Sequence, residues 1–126
     1  MPVRSLNSSI IKWPSDKQVI FSLEKWVKDI LQVNEDIIQI GYFGSYAQGN
    51  WGVGSDLDII IILRQSKLPF EKRNQGWGEQ SLPVPTDILI YTQLEWESMK
   101  KEKTPFFLRI NREVKWVYQK ALISDQ

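Results

Sequence analysis

GYFGSYAQGNWGVGSDLDIIIIL, residues Gly41–Leu63, is the stretch on which the reading of this chain turns. Five glycines and two serines lead to a pair of acids, Asp56 and Asp58, at the mouth of the most apolar run in the sequence. Leu57–Leu63 reads as a strand whose unbroken isoleucines call for burial on both faces. Strand side chains alternate, so Asp56 and Asp58 point to the same face. Two carboxylates aimed together repel, and burial raises their pKa values unless a cation neutralises them. A hard divalent metal with oxygen ligands, magnesium first, would do so. The plain alternative is a solvated strand start, where Asp-x-Asp occurs by chance.

A third acid shifts the balance. Asp87 lies within PVPTDILIYT, near the start of a strand expected over Val84–Tyr91. A charge in an otherwise apolar strand needs a partner, and a salt bridge to Lys or Arg is the ordinary one. If this strand lies beside Leu57–Leu63, however, Asp87 reaches the same place as Asp56 and Asp58. Three carboxylates then suit a two-metal phosphoryl-transfer site. Gly44-Ser45 directly follows a strand expected over Ile37–Phe43 and could open a short helix over Tyr46–Gln48. Such a turn offers backbone amides and a hydroxyl to phosphate oxygens. The loop is not a Walker A sequence, since the Gly-Lys-Ser/Thr ending is missing.

Working outward, Ser15 and Gln18 form a capping-box pattern ahead of Val19, Leu23, Trp26, Val27, Ile30 and Leu31, which recur at helical spacing. An amphipathic helix follows from that pattern. Residues 64–83 read as a long polar connection with a short helix within Phe70–Trp77. Thr92 with Glu95 caps a helix over Leu94 to about Lys101, and Thr104-Pro105 opens another through Ile110. Val114–Tyr118 closes the series as a strand. Alternating helices and strands place the chain in the α/β (α+β) class, with helices packed on a mixed sheet. The expectation is one domain over residues 1–126, with residues 1–14 as a loosely attached arm.

Composition narrows the chemistry. The chain has no histidine and no cysteine, which removes imidazole- and thiolate-based catalysis and the common zinc sites. Its 42% hydrophobic content is ordinary for a soluble globular protein, for which a cytoplasmic location is the default expectation, and the net charge of +1 gives no basic excess for bulk nucleic-acid binding. No run is long enough to span a membrane, and the N-terminus lacks a signal-peptide pattern.

Gly44-Ser45, ten residues, Asp56-x-Asp58 and a later strand-borne Asp87 together resemble the signature of the DNA polymerase β-like nucleotidyltransferases. Within that superfamily the chain is similar to the small minimal nucleotidyltransferases (MNT), and TPFFLRINREVKWVY is similar to the helix and strand that close those domains. The resemblance implies catalytic and metal-binding roles for Asp56, Asp58 and Asp87, with Gly44 and Ser45 holding the triphosphate of ATP or another nucleotide. A hydroxyl would attack the α-phosphate, transferring a nucleoside monophosphate and releasing pyrophosphate. The chain departs from the pattern at Gln48, where family members often carry Arg or Lys.

The family also implies a partner. Minimal nucleotidyltransferases are often paired with a small helical HEPN protein, whose toxicity they neutralise. The resemblance takes up nearly all of these residues, so the acceptor is expected to dock from outside, on a partner protein or across a homo-oligomer interface. Two other readings stay open: an antitoxin that acts by contact alone, and transfer to a small molecule such as an aminoglycoside. Among the remaining residues, Trp51 reads first as a pin for its loop. Arg64, Lys67, Lys72 and Arg73 could reach phosphates or an acidic partner, but a solvated basic loop is the commoner reading.

Overall fold

A computed structural model describes residues 13–121. Most of the expected arm, residues 1–12, lies outside the described residues. Four strands, β1 (Ile37–Phe43), β2 (Leu57–Leu63), β3 (Thr86–Thr92) and β4 (Lys115–Gln119), form one sheet in the order β3-β2-β1-β4. β1 runs antiparallel to β2 and β4, whereas β2 and β3 are parallel. The sheet is therefore mixed. Four helices accompany it among the described residues: α1 (Asp16–Val33), α2 (Ser45–Gln48), α3 (Gln93–Glu102) and α4 (Pro105–Glu113).

Alternation along β2 divides the core in two. Leu57, Ile59, Ile61 and Leu63 face α1, where they meet Val19, Leu23, Trp26, Val27 and Ile30. Ile60 and Ile62 face the other way, into a cluster with Phe43, Trp96, Phe107 and Ile110 from β1, α3 and α4. The four isoleucines are essentially without solvent exposure. Two helical layers covering one strand explain why that strand carries no alternation of polar residues.

Local chemistry sets the ends of each element. Ser15 Oγ accepts from the Gln18 amide at 3.2 Å while Gln18 Oε1 accepts from the Ser15 amide at 2.8 Å, a complete capping box for α1. Thr92 and Glu95 repeat it at α3. β3 begins at Thr86 rather than at Val84 because Pro83 and Pro85 have no N–H to give a ladder; the Pro85 carbonyl instead accepts from the Leu57 amide at 2.9 Å. α4 runs to Glu113, one turn beyond the expected Ile110, and β4 begins after it. Gly41 is required by close approach, since a Cβ there would meet the Trp116 ring and Val114 Cγ2 at 2.7 Å.

The connection from β2 to β3 keeps Arg64, Lys67 and Lys72 exposed, as expected of a solvated basic loop, and departs from that expectation at Arg73. It holds two short 3-10 turns, Phe70–Lys72 and Glu79–Ser81. Arg73 is buried there: its guanidinium donates to both oxygens of Glu95 at 2.6 and 3.0 Å, and to the Leu68 and Ile90 carbonyls at 2.8 and 3.3 Å. The Arg73 carbonyl accepts from Trp77 Nε1, and the Trp77 carbonyl accepts from Trp26 Nε1 on α1. The first basic residue of the loop, Arg64, pairs with Asp36 at 2.8 Å. These two arginines tie the connection to the domain.

Candidate active site

Strand pairing lays the candidate acids side by side. Phe43 of β1 is opposite Asp58 of β2, and Asp58 is opposite Asp87 of β3. This row lies on the α4 face of the sheet, in line with Ile60 and Ile62. β2 and β3 are thus the neighbours that would bring Asp87 to Asp58. Asp87 sits exposed at the start of its strand, Asp58 is half-buried, and Asp56 is exposed in the loop just before β2. No ion pair to Asp87 is formed among the described residues.

The glycine-rich turn closes over the same row. Gly44, between β1 and α2, takes φ 78° and ψ −152°, a conformation open in practice to glycine alone. A Cβ at this position would collide with Asp58 Oδ2, so the turn's backbone lies directly against the carboxylate. Ser45 and Tyr46 are the first two residues of α2, and amides at a helix start have no intrahelical acceptor. The other side of the turn is anchored: Tyr46 is buried, accepts from Trp13 Nε1 at 3.0 Å, and stacks on Trp51 with ring centroids 5.5 Å apart. Trp51 therefore packs within its own loop.

Electrostatics mark Asp58 as the centre of the site. Burial first, then the charges of Asp87 and Asp56, push its carboxyl above the ordinary aspartate range. Arg109 pulls in the opposite direction, and Glu113 adds to the push. A cleft of about 370 Å³ opens here, lined by Phe43, Asp58, Asn74, Asp87, Phe106 and Arg109 among others. A larger cavity of about 480 Å³, by Asn34, Asp36 and Trp77, holds no such group of acids.

α4 supplies two residues that the sequence pattern did not single out. Arg109 lies over the Phe43 ring at 5.9 Å from its centroid and pairs with Glu113 at 3.2 Å. The other Glu113 oxygen accepts from the Gly44 amide at 3.2 Å. Their i, i+4 spacing was readable, but only on a helix that continues past Ile110.

Asp56, Asp58 and Asp87 offer oxygen alone, which suits a hard cation, and their gathered charge is what such an ion would relieve. Among the described residues, no three acidic side chains close on a point by themselves. Magnesium is commonly held by one or two carboxylates with phosphate oxygens and water completing the shell, and the Asp58–Asp87 pair fits that mode.

Known proteins resemble this chain in sequence family and in fold. The sequence model of the nucleotidyltransferase domain matches residues 23–113, a span containing the Gly44 turn, all three aspartates and α4. Among solved structures, the chain is similar to a candidate nucleotidyltransferase from Sulfolobus solfataricus, with 13% identity, TM-score 0.60, and 83% of this chain and 84% of that one covered. It is also similar to a toxin–antitoxin structure with AMP-PNP, with 20% identity, TM-score 0.55, and coverage of 81% and 76%. At these identities both likenesses concern the fold. Among curated proteins no sequence matches the chain.

Proposed function

This chain belongs to the nucleotidyltransferase domain family, and on that premise we propose that it transfers AMP from ATP to a hydroxyl on a partner protein. The observation that supports this best is the in-register pair Asp58–Asp87, set against a Gly44 turn that admits no side chain. In this reading Gly44 and Ser45 hold the triphosphate tail through backbone amides and the Ser45 hydroxyl. Asp58 and Asp87, with Asp56 in the loop just before β2, would hold magnesium, which when bound would neutralise charge on the transferring phosphate.

The acceptor oxygen attacks the α-phosphorus in line, forming the new P–O bond. The bond from that phosphorus to the bridging oxygen of the β-phosphate breaks, and pyrophosphate leaves. Asp87, exposed at the edge of the cleft, is the carboxylate that an incoming hydroxyl meets, and it takes the proton. Half-buried Asp58, in register with Asp87, would be the inner of the two carboxylates that hold the metal. A partner toxin of the helical HEPN kind is the proposed acceptor. The toxin–antitoxin neighbour with AMP-PNP supports both a nucleotide and a protein partner for this fold.

Titration calorimetry with ATP tests the site without knowledge of the acceptor. Binding should require magnesium, vanish with chelator, and vanish in Asp58→Asn. No binding by the wild-type chain would overturn the reading and favour an antitoxin that acts by contact.

A further inference from the structure

The Gly44 amide and the Arg109 guanidinium share one acceptor, the Glu113 carboxylate. Its Oε1 takes the amide at 3.2 Å and its Oε2 takes Arg109 Nε at 3.2 Å. A carboxylate held by a turn amide and a guanidinium occupies the place that two oxygens of a phosphate would fill. We propose that Arg109 is the triphosphate-binding cation of this site, and that Glu113 occupies its partners until a nucleotide displaces it. The proposal rests on the nucleotide site described above and names the groups that bind the triphosphate tail.

Three observations carry it. Gly41–Leu63, which forms the turn and the acidic strand, contains no lysine or arginine, and Gln48 in α2 is exposed and uncharged. A triphosphate arriving there needs a cation from another element. Arg64 and Arg73 are committed to Asp36 and Glu95, whereas Arg109 lines the cleft itself beside Asp58 and Asp87. Its side chain is 51% exposed and its ion pair is with a residue of its own helix, so a ligand can take it without unfolding anything.

Glu113 is also poorly placed for a purely structural part. It is the last residue of α4, where a negative charge faces the unfavourable end of the helix dipole. Its charge adds to those of Asp87 and Asp56 in acting on Asp58, against which Arg109 is the cation that pulls the other way. Swinging Glu113 away removes that charge and frees two donors at once.

Calorimetry on the full chain separates the possibilities, with magnesium and AMP-PNP as one probe and inorganic tripolyphosphate as the other. Arg109→Gln should weaken both ligands by about tenfold to a hundredfold, the worth of a charge-assisted contact. Glu113→Gln should tighten both by about threefold to tenfold, because the resting state no longer competes. Opposite signs are the signature, since loss of a merely structural ion pair would move both variants the same way. Arg109→Lys keeps the charge and should lose only part of the affinity, which covers a failure of Arg109→Gln to fold. If Asp58→Asn abolishes binding while the Arg109 and Glu113 variants bind as wild type, the exchange is overturned and the nucleotide site stands. If the wild-type chain binds neither probe, the site and the exchange fall together.

Discussion

Gly44 and Asp58 are in direct contact across the turn: the space a side chain at Gly44 would need is held by Asp58 Oδ2. Backbone and carboxylate are fitted to one another, and the positive φ of Gly44 adds a second reason for glycine. Gly44→Ala should cost about 1–3 kcal/mol from backbone strain alone. It should also displace Asp58 and abolish magnesium-dependent ATP binding. Urea denaturation and calorimetry on the same sample check both halves.

Asp58 is held above the ordinary aspartate range by burial and by Asp87 and Asp56. A raised carboxyl means that the folded state binds the proton more tightly than the unfolded one. Stability therefore falls as pH rises through the raised value and is recovered on acidification. Asp58→Asn should raise the melting temperature at pH 7 by roughly 2–5 °C while removing nucleotide binding. The gain should shrink as pH is lowered toward the ordinary aspartate value. Scanning calorimetry across pH would show a destabilised variant if the charge is in fact compensated.

Arg73 makes the opposite prediction. Its bidentate bond, ahead of the other influences, holds the Glu95 carboxyl below the usual range. That stabilisation is complete above the ordinary glutamate value and is lost as pH falls through the depressed one. Arg73→Met should destabilise the fold by about 2–3 kcal/mol at pH 7, since it leaves Glu95 and two carbonyls without their donor. The variant should also lack this part of the wild-type acid unfolding limb. Urea melts at neutral and acid pH give the comparison.

The two-sided core of β2 can be tested one face at a time. Ile61→Ala opens space toward α1 and Ile60→Ala toward α3 and α4. Each should cost about 2–5 kcal/mol, the range for truncating a fully buried isoleucine. A near-neutral result at either position would mean that its helical layer is not packed on the sheet.

β1 and β2 occupy the spans expected from their apolar runs, because each is short, dense in β-branched residues and bounded by glycine or polar residues. The capping boxes at Ser15 and Thr92 were legible for a similar reason, being set by residues three apart. What could not be read was long-range. The pairing of β2 with β3 depends on a crossover over residues 64–85, and nothing local in either strand selects its neighbour. Arg73 sits in the charged run EKRNQ and looks solvated until Glu95, 22 residues on, is brought to it. Arg109 and Glu113 were missed because neither departs from an ordinary exposed helix pattern. Their meaning comes from the Gly44 amide, 69 residues from Glu113 in the chain.

The parallel pairing of β2 with β3 also bears on the order in which the molecule assembles. The antiparallel β1–β2 pair closes across a short span, whereas Asp58 meets Asp87 only after the crossover has been gathered in. The acidic row is therefore expected among the last parts to form, so that most of the chain has collapsed before its like charges are brought together. Pulsed hydrogen exchange during refolding would show β1–β2 amides protected ahead of those in β3. A chain arrested before that step would have a hydrophobic core and no site.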